Sequence, residues 1–350
     1  FWVARMIMAG LEFMGDVPFR DVYFTSIIRD DSGRKMSKSL NNSPDPLEVV
    51  AQYGADALRF SIIYIAPVGQ DIRYSNDKCE IGRNFANKIW NVVRFRLRQG
   101  PGSANWQDLK GLSAADLRPD DQWIIARLNN TVQTVTDGLA GFRFNDSCKM
   151  LYEFIWSEFC DWYLEYAKQD LNGSDEARRR QVLAVMTDVF AKALKLLHPY
   201  MPFITEELWH QMGYATESES IMRAPWPAPY TDAQRTAWGL SDEVTAYVNA
   251  RRELVTAGRA LRADYNVAPS KFLHYIIQAT DDETADRLKA DVETLKQQLR
   301  SDNLEVVAGG GEKAMPGTLC KLGTVYLPLE GLVDIEAESA RVKAELDKTR

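Results

Sequence analysis

Apolar residues recur with a helical period at Val3, Met6, Ile7 and Leu11, stop at Gly15-Asp16-Val17-Pro18, and give way to a β-branched and aromatic run over 22–28. The spacing predicts a buried helix followed by a strand, because steps of three and four gather one helix face whereas branched residues suit extended backbone. Asp45, Pro46 and Glu48 predict a capped helix ending at Gly54, with a second helix over 55–65 starting at once. Longer periodic stretches follow over 79–99, at Ile124, Leu128, Val132, Val135 and Leu139, and over 178–197 and 204–212. Between them Tyr152, Trp156, Phe159, Tyr163 and Tyr166 form an aromatic stripe behind a cap at Asn145 or Asp146, and the set predicts an antiparallel helical bundle with the stripe in its core. Pro225-Trp226-Pro227-Ala228-Pro229 leads out of it. Past a helix over 242–263, short strands at 272–277, 304–307 and 324–327 around a polar helix over 282–299 predict a small α/β module. Leu332, Ile335, Ser339, Val342 and Leu346 then alternate steps of three and four, the seam of a coiled coil. The fold expected is mainly α, in four parts: 1–66, 67–235, 236–330 and 331–350.

Composition narrows the function. No apolar run approaches the roughly 20 residues of a membrane helix, and no signal peptide opens the chain, so a cytoplasmic monomer with no membrane partner is expected. Cys79, Cys148, Cys160 and Cys320 are scattered without a C-x-x-C pair, which suggests neither a zinc site nor a disulfide framework; no metal is expected. A formal charge of −7 argues against nucleic-acid binding by the chain as a whole. It changes locally: 81–106 holds no acid but contains Arg83, Lys88, Arg94, Arg96 and Arg98, a charge of +5. Phe85 on the same helix could stack on a splayed base, and Arg83 could bridge phosphate or a base edge. Arg251, Arg252, Arg259 and Arg262 would extend such a face or be solvated.

The chemistry concentrates in Gly33-Arg34-Lys35-Met36-Ser37-Lys38-Ser39, between the predicted strand and the helix at Pro46. Two lysines three residues apart, alternating with small hydroxyls in a turn opened by Asp31-Ser32-Gly33, can direct several donors at a polyanion. The pentapeptide from Lys35 to Ser39 resembles the second signature of class I aminoacyl-tRNA synthetases, the KMSKS loop. Further stretches resemble the valine-specific members of that family: Phe1-Trp2-Val3-Ala4-Arg5-Met6-Ile7-Met8, Tyr53-Gly54-Ala55-Asp56-Ala57-Leu58-Arg59-Phe60, Gly82-Arg83-Asn84-Phe85-Ala86-Asn87-Lys88-Ile89-Trp90-Asn91, His198-Pro199-Tyr200-Met201-Pro202-Phe203-Ile204-Thr205-Glu206-Glu207, and Leu327-Pro328-Leu329-Glu330-Gly331-Leu332-Val333-Asp334. The resemblance spans essentially the whole chain.

It implies the end of a Rossmann-type catalytic domain over 1–66, an anticodon-binding bundle over 67–235, an α/β module over 236–330 and the start of a tRNA-binding coiled-coil arm. It implies activation of valine with ATP and Mg²⁺ and transfer to tRNA(Val). Lys35 and Lys38 would be catalytic; Ile28, Met36, Ser37 and Ser39 would join them in binding ATP; Trp2 would wall the amino-acid pocket; Arg83, Phe85 and Lys88 would meet the anticodon. The family's His-x-Gly-His signature is missing, since the histidines are His198, His210 and His274. The editing domain is missing too, so the chain reads as the C-terminal part of a longer synthetase, inactive alone. Asn41 stands where relatives often have Gly, and Asn tolerates a left-handed backbone. A stand-alone tRNA-binding module and a helical scaffold are the competing readings.

Overall fold

The computed structural model describes residues 1–67, 69–100, 109, 111–268, 270–310 and 315–329, apart from the Lys38 side chain. The expected coiled-coil arm lies outside the described residues. Helix makes up 61% of the structure, in keeping with a mainly α fold. Two compact units form, each gathered from separate stretches: 1–108, 127–160 and 186–229 in one, 109–126, 161–185 and 230–350 in the other.

The first unit begins with α1 (Trp2–Met14), which buries none of its residues. Its period makes a helix, but burial needs a second surface, and the described residues cover it only in part, leaving Val3, Ile7 and Gly10 half-buried. The predicted strand contracts to β1 (Ile28–Arg29), parallel to β2 (Ile72–Arg73), with Ile28 opposite Ile72. A strand extends only as far as a neighbour completes its hydrogen bonds, and here two residues meet one. α2 (Pro46–Tyr53) is capped as expected, Leu47 N donating to Asp45 Oδ1 at 2.8 Å, and Gly54 at φ 96° separates it from α3 (Ala55–Ile65).

α4 (Cys79–Arg98) crosses α3 closely. A Cβ on Gly82 would stand 2.5 Å from the Ala57 carbonyl oxygen, so glycine is required there, and its own N–H donates to Ser61 Oγ at 3.1 Å. α5 (Pro119–Ala140) and α6 (Phe144–Glu153) follow, then a π-helical segment (Phe154–Tyr163) leading into α7 (Leu164–Asn172), α8 (Glu176–Leu197) and α9 (Pro202–Gln211). Asn145 does not cap α6. It is buried, and its Nδ2 donates to the carbonyls of Ile63 (2.8 Å) and Tyr64 (2.7 Å), closing the last turn of α3.

In the second unit α10 (Asp232–Ala237) and α11 (Asp242–Asp264) precede a sheet of β3 (Leu273–Ala279), β4 (Ser301–Ala308), β5 (Gly317–Cys320) and β6 (Gly323–Tyr326), in spatial order β4-β3-β6-β5. β3 and β4 run parallel, joined through α12 (Asp282–Ala290) and α13 (Val292–Leu299). The single polar helix expected there breaks at Asp291, whose carboxylate turns away to accept Tyr247 Oη at 2.7 Å and the Arg251 guanidinium. β5 carries no period of its own in four residues and exists as the hairpin partner of β6. Leu254, Tyr275, Ile277, Leu288, Leu295 and Val325 form the core of this α/β layer.

Consecutive acids in the first turn of α5 organise the polar interior of this unit. Asp120 meets Arg251, which also holds Asp291; Asp121, fully buried, lies 2.6 Å from Arg178, which reaches Asp170 at 2.7 Å. Tyr163 Oη donates to Asp121 at 2.8 Å. Burial raises both α5 carboxyls above their ordinary range, and the guanidinium beside each opposes that. Arg251 is therefore neither solvated nor part of an exposed RNA face, and Arg262 is also buried. Arg252 stacks between Trp123 (4.5 Å) and Trp162 (4.8 Å).

Removing one partner from such a pair leaves a buried charge uncompensated, so Arg251→Ala is expected to cost about 3–5 kcal/mol. Lys289→Ala, which deletes the exposed pair with Asp286, should change stability by under about 1 kcal/mol. Urea unfolding followed by circular dichroism measures both, and equal effects would contradict the assignment.

Candidate functional site

The lysine loop is built outward from one carboxylate. Asp30 is 8% exposed; its backbone N–H donates to the Arg34 carbonyl at 3.0 Å, and its carbonyl accepts Gly33 N–H at 2.8 Å. Its side chain accepts Arg34 N at 2.8 Å, Arg34 Nε at 2.9 Å and Asn42 Nδ2 at 2.9 Å. The Asn42 amide first, and then the Arg34 backbone and guanidinium, pull the Asp30 carboxyl down to about 2 against the opposing effect of desolvation. The turn thus starts one residue before the expected Asp31.

Asn42 closes the other end. Its Nδ2 also reaches the Lys35 carbonyl at 3.3 Å, and its Oδ1 accepts Ser37 N–H at 2.9 Å. Asn41, at φ 49°, takes the left-handed conformation anticipated for it. Lys35 bridges back to Arg29 through its backbone and leaves its side chain exposed, while Met36 packs with Ile28 against Val49, Tyr74 and Cys79. Ser37 Oγ and Ser39 Oγ are 3.1 Å apart, and Lys38 opens a short 3₁₀ turn, Lys38–Leu40. The backbone is fixed at both ends and by Met36 between, with an exposed amine and two hydroxyls on offer to a polyanion.

Other expected site residues separate. Trp2 is 73% exposed on α1, with the Arg5 guanidinium 5.7 Å from its ring. On α4, Arg83 pairs with Glu80 at 3.2 Å and lies over Tyr53, and Lys88 Nζ is 5.0 Å from the Trp156 ring. Phe85 points inward, toward the same Trp156 ring that Lys88 covers. It has no exposed surface and is ringed by Phe60 (4.9 Å), Tyr152 (5.0 Å) and Trp156 (6.4 Å), so stacking on an RNA base is ruled out by burial. Arg96 is also buried, its Nε donating to Thr187 Oγ1 at 3.2 Å. The charge of the acid-free stretch is accordingly not all on one surface. His198 Nδ1 lies 2.7 Å from Thr205 Oγ1, a hydrogen bond at the end of α8. Asp30 and Asn42 were not singled out by sequence; the signal available was an acid opening the turn and a second Asx-type residue closing it.

A family model described as "tRNA synthetases class I (I, L, M and V)" matches residues 1–75, and one described as "Anticodon-binding domain of tRNA ligase" matches 121–277. The lysine loop between β1 and α2 falls within the first of these matches, so residues 1–75 and 121–277 are each similar to a domain of tRNA synthetases. The chain's curated relatives are valine–tRNA ligases: those of Chlorobaculum tepidum and Geobacillus kaustophilus are each 39% identical over 99% of this chain, and that of Bacillus licheniformis 40% over 98%. The chain spans 38–39% of the length of these relatives. The LeuRS of Agrobacterium radiobacter K84, solved in a ternary complex with tRNA and LeuAMS, shares the fold at TM-score 0.50 and 16% identity, over 88% of this chain and 35% of that one.

The geometry makes two expectations. Because the folded Asp30 carboxyl lies below the ordinary 3.8, its ionised form favours the closed loop; that contribution is complete above roughly pH 4 and is lost as pH falls through about 2. Asn42→Ala should move the Asp30 titration, followed by carboxyl NMR, up toward 3.8 and broaden the loop amides. Phe85→Ala should lower stability by about 3–5 kcal/mol in denaturant unfolding. An unfolding midpoint unchanged from wild type would place the ring outside the core.

Proposed function

We propose that this chain is the C-terminal portion of a valine–tRNA ligase, in which the Lys35–Ser39 loop handles the phosphates of ATP and the helical bundle receives tRNA(Val). The observation that carries the reading is the similarity to valine–tRNA ligases over 99% of the chain, joined to a loop that exposes Lys35 while pinning its own backbone.

In valine activation the carboxylate attacks the α-phosphorus of ATP and pyrophosphate leaves, so negative charge grows on the bridging and terminal oxygens. ATP enters as its Mg²⁺ complex. Lys35 and Lys38 would face that growing charge, with the Ser37 and Ser39 hydroxyls adding neutral donors. Ile28, on β1 beside the loop, would offer backbone groups to adenine, and Met36 would hold the loop to the body of the unit. Trp2 would wall the valine pocket. The exposed apolar residues of α1, among them Met8, Phe13 and Met14, fit a surface that another part of the catalytic domain covers. On the RNA side Arg83 and Lys88 remain as anticodon contacts, without Phe85.

Valine-dependent exchange of labelled pyrophosphate into ATP should stay at background for the 350-residue chain and appear in a full-length ligase carrying this sequence. Turnover by the chain alone would refute its being an incomplete catalytic part. In the full-length protein Lys38→Ala should lower kcat for adenylate formation by a factor equivalent to about 2.7–4 kcal/mol while leaving the KM for valine nearly unchanged. Pre-steady-state kinetics separates the two, and a change confined to valine affinity would remove Lys38 from the reaction.

A further inference from the structure

Within the second unit a cavity of about 840 Å³ opens between the C-terminal end of α11 and the C-terminal end of α13, walled by Arg259, Arg262, Arg300, Gln298, Phe272 and Glu165. Three guanidiniums converge there, and none of them forms an ion pair among the described residues. Part of their charge has a structural use. Arg259 donates to the Gln298 carbonyl at 3.0 and 2.8 Å, and Arg262 donates to the carbonyls of Leu299 and Lys271, so both close the last turn of α13.

Capping does not use up the charge. Each of the two helix C-termini carries about half a negative charge, and Glu165, itself paired with Lys168, adds one, so the wall keeps roughly +1. Arg300 contributes to no cap through its side chain; it is exposed and set in place by a left-handed backbone at φ 51°. Burial lowers the Arg259 guanidinium's hold on its proton; Glu165 opposes this, and the positive charges of Arg300 and Arg262 add to it. An anion in the cavity would relieve that crowding.

Two further groups say more than anion. Gln298 is 8% exposed, and its Oε1 is buried and accepts no hydrogen bond, an acceptor that a ligand's donor reaches once the side chain turns toward the cavity it lines. Inorganic phosphate carries little to give it, whereas a ribose 2′-hydroxyl or a base amino group does. At the rim Phe272 is 61% exposed, a ring face open to stacking.

We propose that this cavity binds one unpaired ribonucleotide of tRNA, its phosphate against Arg259 and Arg300, its base on Phe272, and its 2′-hydroxyl or amino group donating to Gln298 Oε1. The proposal rests on the reading that this chain binds tRNA. It adds an RNA contact in the α/β module to those proposed on the basic helix α4.

The test is fluorescence anisotropy of the 350-residue chain with a valine-acceptor tRNA transcript, a single-stranded ribo-oligomer and its deoxy counterpart, across a salt series, with inorganic phosphate as a separate probe. Arg300→Gln should flatten the slope of log K against log salt by about 0.7–0.9, one phosphate contact. Phe272→Ala should weaken tRNA binding roughly 5- to 100-fold with the slope unchanged, and Phe272→Tyr should restore it. Gln298→Leu should reduce the preference for the ribo- over the deoxy-oligomer. Both Arg300 and Phe272 are exposed, and melting curves matching wild type confirm that the variants fold. If the Arg300→Gln, Phe272→Ala double variant binds tRNA as wild type does, the cavity assignment is overturned while tRNA binding stands. The same holds if phosphate binds the cavity but these substitutions leave tRNA affinity untouched, which makes it an anion site only. If the wild-type chain binds no tRNA at low salt, the cavity assignment and the tRNA reading both fall.

Discussion

Asp120 and Asp121 are neighbours in sequence, yet each holds a different arginine: Arg251 from α11 for one, Arg178 from α8 for the other. Neighbouring side chains on a helix diverge by about 100°, so two carboxylates in one turn can serve two partners. Their place at a helix N-terminus matters as well, because the positive end of the helix dipole favours the ionised carboxylate that burial disfavours. Apolar surfaces alone tolerate sliding, but a guanidinium fork accepts a carboxylate in few orientations. The layer of Leu254, Tyr275, Leu295 and Val325 is packed beside that fixed frame. Asp291 shows the same constraint acting on secondary structure, since the helix over 282–299 gives way where its carboxylate is drawn to Arg251 and Tyr247.

The lysine loop uses the same chemistry at smaller scale and nearer the surface. Asp30 and Asn42 form a clasp whose bonds are to backbone and amide groups more than to charges, so the Lys35 amine is not consumed in holding it. Arg34 is the exception, paired with Asp30 at 2.9 Å. A catalytic loop needs its donors preorganised but unspent, because only interactions gained as charge develops accelerate a reaction. Lys35 meets that requirement by pointing outward while the adjacent Met36 points inward, the alternation of extended backbone put to use.

Charge in this acidic chain is sorted by burial as much as by sequence position. Arg96, Arg178, Arg251 and Arg262 all sit inside, each held by a hydroxyl, carboxylate or carbonyl. Of the five cations on α4 only Arg96 is buried: Arg94 and Arg98 are exposed and Arg83 and Lys88 partly so, while Arg259 and Arg300 lie exposed around the cavity of the α/β module. The inward face of α4 is otherwise apolar or small, so packing removes Arg96 from its positive charge and leaves the other four cations outside.

The helices were legible in the sequence because their signals are local. The period of α4, the Asp45-Pro46 start and Gly54 stop of α2, and the left-handed Asn41 each depend on a few adjacent residues. The place of the lysine run between β1 and α2 was legible for the same reason. Sequence did not reveal what depends on a distant partner: the two-residue extent of β1, the burial of Phe85 against Tyr152, the claim of Arg251 on Asp120, or Asn145 serving α3 instead of α6. A hydrogen-bond ladder, a buried ring and an ion pair each need a second surface, and which surface arrives is settled only when the chain has folded.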